Sequence, residues 1–363
     1  MVSKTLDGLG TENSLSENVR EALFEHRIYL TICGFYFSLT ALFFDFSGYG
    51  TALDFLSGFF RFLANSSLLA MVAIAIFAAK LLILDRPKTS PFMYVYNALR
   101  AGPLSRDNIP RCVVAMLGLS AVMSAFLFVK PAIPLIKPFA YDQLFEQWDR
   151  TIHFGYQPWE ILQGILGYEW ITLIIHRSYY LWFPVIYVTF FWQVATRDNR
   201  NLRMQFILSF VGCWIVVGSI MAIAMSSVGP IYFDQVVYDD PAVYSAGVAY
   251  LSGLNSSYGL YMFEVKEMLW NHYTGVSENN LVRGISAMPS MHVSLAFLLV
   301  LFGWSKGPVA RAFYSVFALV IGLGSVHLLW HYAIDGYVAI IATWIIWMVS
   351  GVLANKHLPP ANQ

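Results

Sequence analysis

Charge is what this chain has least of. Only 12% of its 363 residues are Asp, Glu, Lys or Arg, against roughly 25% in ordinary soluble domains. Its 22 basic and 22 acidic residues cancel, so there is no basic excess of the kind that draws nucleic acid. Cysteine is equally scarce. Cys33, Cys112 and Cys213 each sit inside an apolar run, which reads as packed thiols and excludes a disulfide framework. There is no apolar core near the start: residues 1–27 mix Glu12, Glu17, Glu21 and Glu25 with Lys4, Arg20 and Arg27. A secretory signal would place its core earlier, so the first apolar run is expected to stay as a helix. Internal repeats and low-complexity tracts are also missing.

What the chain has in quantity is apolar sequence, 58% of it, with 17% aromatic residues. This predicts an all-α fold, a polytopic membrane helix bundle. A spanning helix needs about 20 mostly apolar residues. Eight stretches qualify: 28–44, 62–84, 110–129, 178–196, 204–225, 289–303, 309–328 and 334–354. The expected organisation is a tail over 1–27 and a single integral membrane domain over 28–363. The long connections are 130–177 and 226–288. Residues 45–61, rich in Gly and aromatics, and Trp159–Ile175, after a helix start at Gln157-Pro158, both suit the membrane interface.

Basic residues set the orientation. Lys4, Arg20 and Arg27, then Arg86, Lys88, Arg100 and Arg106, then Arg197, Arg200 and Arg203, then Lys306, Arg311 and Lys356 all fall on one side of eight spans. That side is expected to be cytoplasmic, with both termini on it, in a cell inner membrane. The other side carries longer loops with fewer basic residues.

Two histidine motifs land on that outer side. The first is Ala287-Met288-Pro289-Ser290-Met291-His292. Proline suits the first turn of a helix. Ser290 either caps that helix or donates to an anion, since a helix N-terminus favours phosphate. The second motif runs from Gly324-Ser325 through His327 to His331-Tyr332-Ala333-Ile334-Asp335. His331 and Asp335 are one helical turn apart on one face. Such a pair fixes an imidazole tautomer, and an aspartate inside a membrane segment is costly enough to imply function. His327 is either a third member of the site or a polar filler.

Met288-Pro289-Ser290-Met291-His292 followed by His331-Tyr332-Ala333-Ile334-Asp335 resembles the type 2 phosphatidic acid phosphatase superfamily, with its Pro-Ser-x-His and later His-x-x-x-Asp motifs. The Met-Pro-Ser-x-His-Val and His-Tyr-x-x-Asp spelling is closest to the inositol phosphorylceramide synthase-like branch. The resemblance covers residues 283–345, with a looser match in helical layout that implies a six-helix catalytic core. It implies a lipid phosphatase or phosphotransferase in which His331 attacks phosphorus, Asp335 orients it and His292 handles the proton. It further implies no metal and no cofactor, and membrane lipids as partners: a phospholipid or lipid phosphate as donor, and water or a lipid alcohol as acceptor. Oligomeric state is left open.

Two departures from the superfamily matter. The arginine usually found just before the nucleophilic histidine is missing, because Gly324-Ser325 stands there. The Lys…Arg-Pro motif has a counterpart in Lys80…Arg86-Pro87 that is one residue too short and falls on the cytoplasmic side, so it reads as an anchor. The cationic clamp on phosphate is therefore expected from Arg177 or Arg283, helped by Ser290 and His327. Two other classes place histidines inside a bundle. A transporter or proton relay would favour repeated halves, which are not visible. A bis-histidine haem protein would leave Asp335 and Pro289-Ser290 unexplained.

Overall fold

The computed structural model describes residues 14–48, 50–87, 90–197, 199–237, 242–276 and 283–358. Most of the N-terminal tail, Lys88 and part of the long 226–288 connection therefore lie outside the described residues. Within them the chain is all helical: α1 (Leu15–Glu25), α2 (Arg27–Ser47), α3 (Ala52–Leu84), α4 (Pro91–Ala101), α5 (Asn108–Ile136), α6 (Asp142–Ile152), α7 (Pro158–Leu166), α8 (Glu169–Tyr180), α9 (Trp182–Ala195), α10 (Arg200–Ala224), α11 (Ser245–Tyr258), α12 (Tyr261–Tyr273), α13 (Met291–Trp304), α14 (Pro308–His327) and α15 (Ala333–His357). All eight expected spans are largely helical, although the one over 178–196 is split at Leu181 between α8 and α9. Six of them (α2, α3, α5, α10, α14 and α15) are long and apolar enough to cross a membrane. The other two, α9 and α13, are 14 residues each, shorter than a span ordinarily requires.

Three boundaries differ from expectation, each for a local reason. Residues 52–61 are helical because Thr51 and Asp54 form a capping box that starts α3 early. The stretch expected as one helix over Trp159–Ile175 is two, α7 and α8, broken at Gly167. A Cβ there would lie 2.3 Å from the Gln163 carbonyl oxygen. Helix α5 runs on through Pro131 and Pro134 to Ile136. Pro134 has no N–H to return to the carbonyl of Lys130 four residues back, so that carbonyl is left to the approaching chain at Gly284. A Cβ on Gly284 would stand 2.7 Å from it, and Gly284 takes a left-handed φ of +77°.

The bundle packs α13 against α14, α15 and α10, with α5 joining α10 to α2 and α3. Polar side chains bridge helices where they meet: Ser294 to Thr343 (2.7 Å), Gln205 to the Trp347 carbonyl (3.0 Å) and Tyr36 to Ser219 (2.8 Å). Such bonds are favoured where no water competes. Around Ser219, α10 widens into a π-turn over Cys213–Met221, and the Ser219 hydroxyl donates to the Trp214 carbonyl. Helix α3 has almost none of its span buried and packs along α5 and α9.

One end of the bundle is held by ion pairs. Glu25, fully buried, meets Arg203, Arg111 (2.9 Å) and Arg200 (3.3 Å). Arg197 pairs with Asp107 (2.8 Å), and Arg27 reaches His357 (3.2 Å) at the end of α15. Burial alone would raise the Glu25 carboxyl, but Arg203, His26, Arg200 and Arg111 together hold it below the usual carboxylate value. Its stabilisation is therefore present at neutral pH and is lost as pH falls through that depressed value. Glu25→Ala leaves Arg203 buried without its partner. It is expected to cost about 3–5 kcal/mol, read as a lower thermal midpoint in detergent, while turnover per folded molecule stays near wild type.

Candidate active site

The N-terminus of α13, the C-terminus of α14 and the N-terminus of α15 meet at the opposite end from the Glu25 cluster. They are separated from it by the length of α15, 25 residues or about 37 Å at 1.5 Å per residue. His331 lies in the link between α14 and α15. Its backbone N–H donates to the Ser325 carbonyl (3.1 Å). Its ring Nδ1 has two acceptors, the Ala287 carbonyl oxygen at 2.8 Å and Asp335 Oδ2 at 3.2 Å. Both acceptors require a proton on Nδ1. In the neutral ring, Nε2 is then the unprotonated nitrogen with a free lone pair. Asp335 is fully buried and also accepts from the Tyr332 N–H (3.1 Å), while its Oδ1 has no hydrogen-bond partner among the described residues.

His292 faces this pair from the first turn of α13, with its ring centroid 6.1 Å from that of His331. It is held between aromatics: Tyr179 stacks on it at 4.6 Å, Trp182 lies at 4.3 Å and Phe183 at 6.3 Å. Trp182 also donates its indole N–H to the His292 carbonyl (2.9 Å). Ser290 caps α13, its hydroxyl accepting from the Val293 N–H (3.4 Å). Its own N–H donates to the Asp335 carbonyl (3.2 Å). The first motif is therefore joined to the second through main-chain bonds.

The remaining expected residues are placed differently. His327 is tied to α8, with Nε2 2.9 Å from the Thr172 hydroxyl, which in turn meets Tyr250 (2.9 Å). Arg177 is exposed on α8 beside His176. Arg283 is exposed on the non-helical segment that leads to Gly284 and Ser290. Lys80 packs on Trp192, ten residues along α9 from the Trp182 that touches His292, and so towards the other end of the bundle. Among the described residues, Lys130 is a cation whose charge is felt at His292. It is half-buried in the last turns of α5, and no carboxylate among the described residues pairs with it. Lys130 was legible in the sequence. Lys130 and Lys137-Pro138 are separated by six residues, where Lys80 and Arg86 have only five between them, with lysine in place of arginine. Lys137 donates to the Tyr141 hydroxyl (2.6 Å) and the Ala224 carbonyl (2.8 Å).

A second set of residues that the sequence did not signal comes from α6. Asp142, Glu146 and Asp149 recur at i, i+4 and i+7, on one face of the helix, and all three are buried. Asp142 accepts from the amides of Val228 (3.0 Å) and Gly229 (3.0 Å) and from the Tyr332 hydroxyl (2.9 Å). Glu146 binds Arg150 (2.7 Å) and Gln157. Asp149 accepts from Ala333 N–H (2.7 Å) and Ile334 N–H (2.9 Å). Burial pushes Asp142 up to about 6 and Asp149 up to about 7, against the opposing pull of these donors. Gly229 fits here only as glycine: its φ is +89°, and a Cβ would meet the Trp330 carbonyl oxygen at 2.6 Å.

The arrangement is a base-paired imidazole with a free nitrogen, a second imidazole facing it, a nearby ammonium and aromatic walls. That set can attack an electrophile covalently and move a proton to and from the leaving and incoming groups. The family model of the PAP2 superfamily matches residues 143–349, a segment that holds His292, His331, Asp335 and Asp149 and begins after Lys130 and Lys137. No curated protein and no solved structure matches the chain.

Proposed function

The chain belongs to the PAP2 superfamily, whose model spans more than half of it, and from that premise we propose that this phosphatase-type membrane enzyme cleaves a phosphoester of a lipid through a phosphohistidine at His331. The observation that carries the reading is the shared Nδ1–H of His331, which leaves Nε2 free to attack. In the first step Nε2 bonds to phosphorus and the phosphorus–oxygen bond to the leaving group breaks. The Asp335 carboxylate balances the charge that forms on the ring. Protonated His292 gives its proton to the leaving oxygen. In the second step His292 takes a proton from water or a lipid alcohol, that oxygen attacks phosphorus, and the phosphorus–nitrogen bond breaks.

Lys130 is the cation we assign to the phosphate oxygens, ahead of Arg177 and Arg283. A half-buried ammonium without a carboxylate partner is costly unless an anion visits it, and developing negative charge at phosphorus needs such a group. The inositol phosphorylceramide synthase-like branch is supported by the Met-Pro-Ser-x-His-Val spelling and by the serine, Ser325, at the place of the usual arginine. That branch favours a phospholipid donor and a lipid alcohol acceptor. The site is extracytoplasmic in this reading. Supporting it, the Glu25 end holds Arg27, Arg197, Arg200 and Arg203, the positive side, and the histidines sit at the other end.

Purified protein given a panel of phospholipids and lipid phosphates, quenched in alkali and analysed by mass spectrometry, should carry on His331 a phosphate from a lipid phosphate or a phosphate ester from a phospholipid. His331→Ala should abolish both the label and turnover, and Asp335→Asn should lower turnover by about 10³-fold or more. Lys130→Met should slow labelling by roughly 10²–10³-fold with the protein still folded. A fully active His331→Ala enzyme would sink the mechanism.

For topology, cysteines placed at the exposed positions Ser256 and Ser305 should react with an impermeant reagent on opposite sides of the membrane, Ser256 outside. The reverse pattern places the site in the cytoplasm.

A further inference from the structure

His331 and Asp335 are separated by three residues, and each of the three is held by a carboxylate of α6. Tyr332 donates its hydroxyl to Asp142, Ala333 its amide to Asp149 Oδ2, and Ile334 its amide to Asp149 Oδ1. These two amides open α15 and have no acceptor in their own helix. A capping carboxylate normally comes from the residue just before the helix. Here it comes from 184 residues away in sequence. Asp142 grips the Val228–Gly229 amides with the same carboxylate, and the adjoining Ser227 carbonyl accepts from Ala287 N–H (3.0 Å). Ala287 is the residue whose own carbonyl takes the His331 Nδ1–H. Both acceptors of the nucleophile's proton are therefore anchored to α6, one through Asp149 and the other through Asp142.

We propose that Asp149 and Asp142 are positioning residues of the phosphotransfer site. They set the spacing between His331 and its two acceptors, and hence which nitrogen of His331 is free, without touching the substrate. The proposal rests on His331 being the nucleophile. The geometry leaves little tolerance. The His331–Asp335 bond is already 3.2 Å, so a slip of a few tenths of an ångström at Ala333–Ile334 takes it out of hydrogen-bond range.

The test uses the full-length protein in detergent with the lipid substrate that wild type turns over and that His331→Ala does not. Asp149→Asn keeps the side chain's size but offers a donor where one amide needs an acceptor. It should fold with a thermal midpoint within a few degrees of wild type. Its kcat should fall by about 100-fold, the usual cost of a small misplacement of a reacting group, with KM changed less than threefold. Selective ¹⁵N-histidine labelling should show the His331 signal leaving the Nδ1–H tautomer. Asp234→Asn, exposed on the short helix Phe233–Val236, should change neither. If Asp149→Asn does not fold, Tyr332→Phe, which removes one hydroxyl, carries the same test with a smaller loss of kcat. Turnover that follows only the folded fraction, with the His331 tautomer unchanged, reduces α6 to a structural cap and overturns the proposal. An enzyme whose activity survives His331→Ala overturns the nucleophile assignment instead, and that result is read before Asp149 is altered.

Discussion

One proton, the Nδ1–H of His331, organises this end of the molecule. It is shared between a main-chain carbonyl at Ala287 and the carboxylate of Asp335, and each acceptor arrives on a different segment. Ala287 belongs to the strap before α13, and Asp335 to the first turn of α15. The segments are sewn together by further main-chain bonds: Ser290 N–H to the Asp335 carbonyl, Ile231 N–H to the Leu329 carbonyl (2.9 Å) and Ala287 N–H to the Ser227 carbonyl. Gly229 and Gly284, with positive φ, let these backbones approach closely. The membrane helices supply the walls, and the links between them supply the geometry.

Charged groups are rare in this chain, and the structure concentrates them at the two ends of the bundle. At one end Glu25 gathers Arg111, Arg200 and Arg203. At the other, Asp142, Asp149 and Asp335 hold amides, a hydroxyl and an imidazole, with Lys130 as the nearby cation. The pairs at the first end join cation to anion and serve stability. At the second, the carboxylates are matched mainly to neutral donors, and among the described residues the ammonium has no carboxylate partner.

How much of this was legible in the sequence depends on the kind of interaction involved. The helices were visible because apolar runs of twenty residues have few other outcomes, and His292, His331 and Asp335 because polar side chains stand out in such runs. The early start of α3 was written in Thr51 and Asp54 but hidden by the aromatic run around them. Lys130 was missed because Pro131 and Pro134 looked like the start of a loop, whereas α5 tolerates both prolines near its C-terminus. The α6 carboxylates were missed for a deeper reason. Asp142 and Asp149 act on backbone amides, which every sequence has, so their partners at Val228, Gly229, Ala333 and Ile334 have no residue signature. The spacing of Asp142, Glu146 and Asp149 gave a face, but its target was set by the fold. His327 was a candidate through its nearness to His331 in sequence, and the C-terminal turn of α14 brings its ring to Thr172.

The helix beneath His292 is short. With 14 residues, α13 rises about 21 Å, against a hydrocarbon layer of about 30 Å, and α9 beside it is equally brief. Helix α3, at 33 residues, rises about 50 Å. Members this unequal fit one slab by tilting of the long helices or by thinning of the lipid around the short ones. With Trp304 at one boundary, His292, about 18 Å along the helix, sits roughly 12 Å below the plane of the other. The bilayer surface would dip toward it. On the proposed reading of a lipid substrate, a phosphate on a neighbouring lipid would meet the imidazoles in that dip without its chain leaving the bilayer.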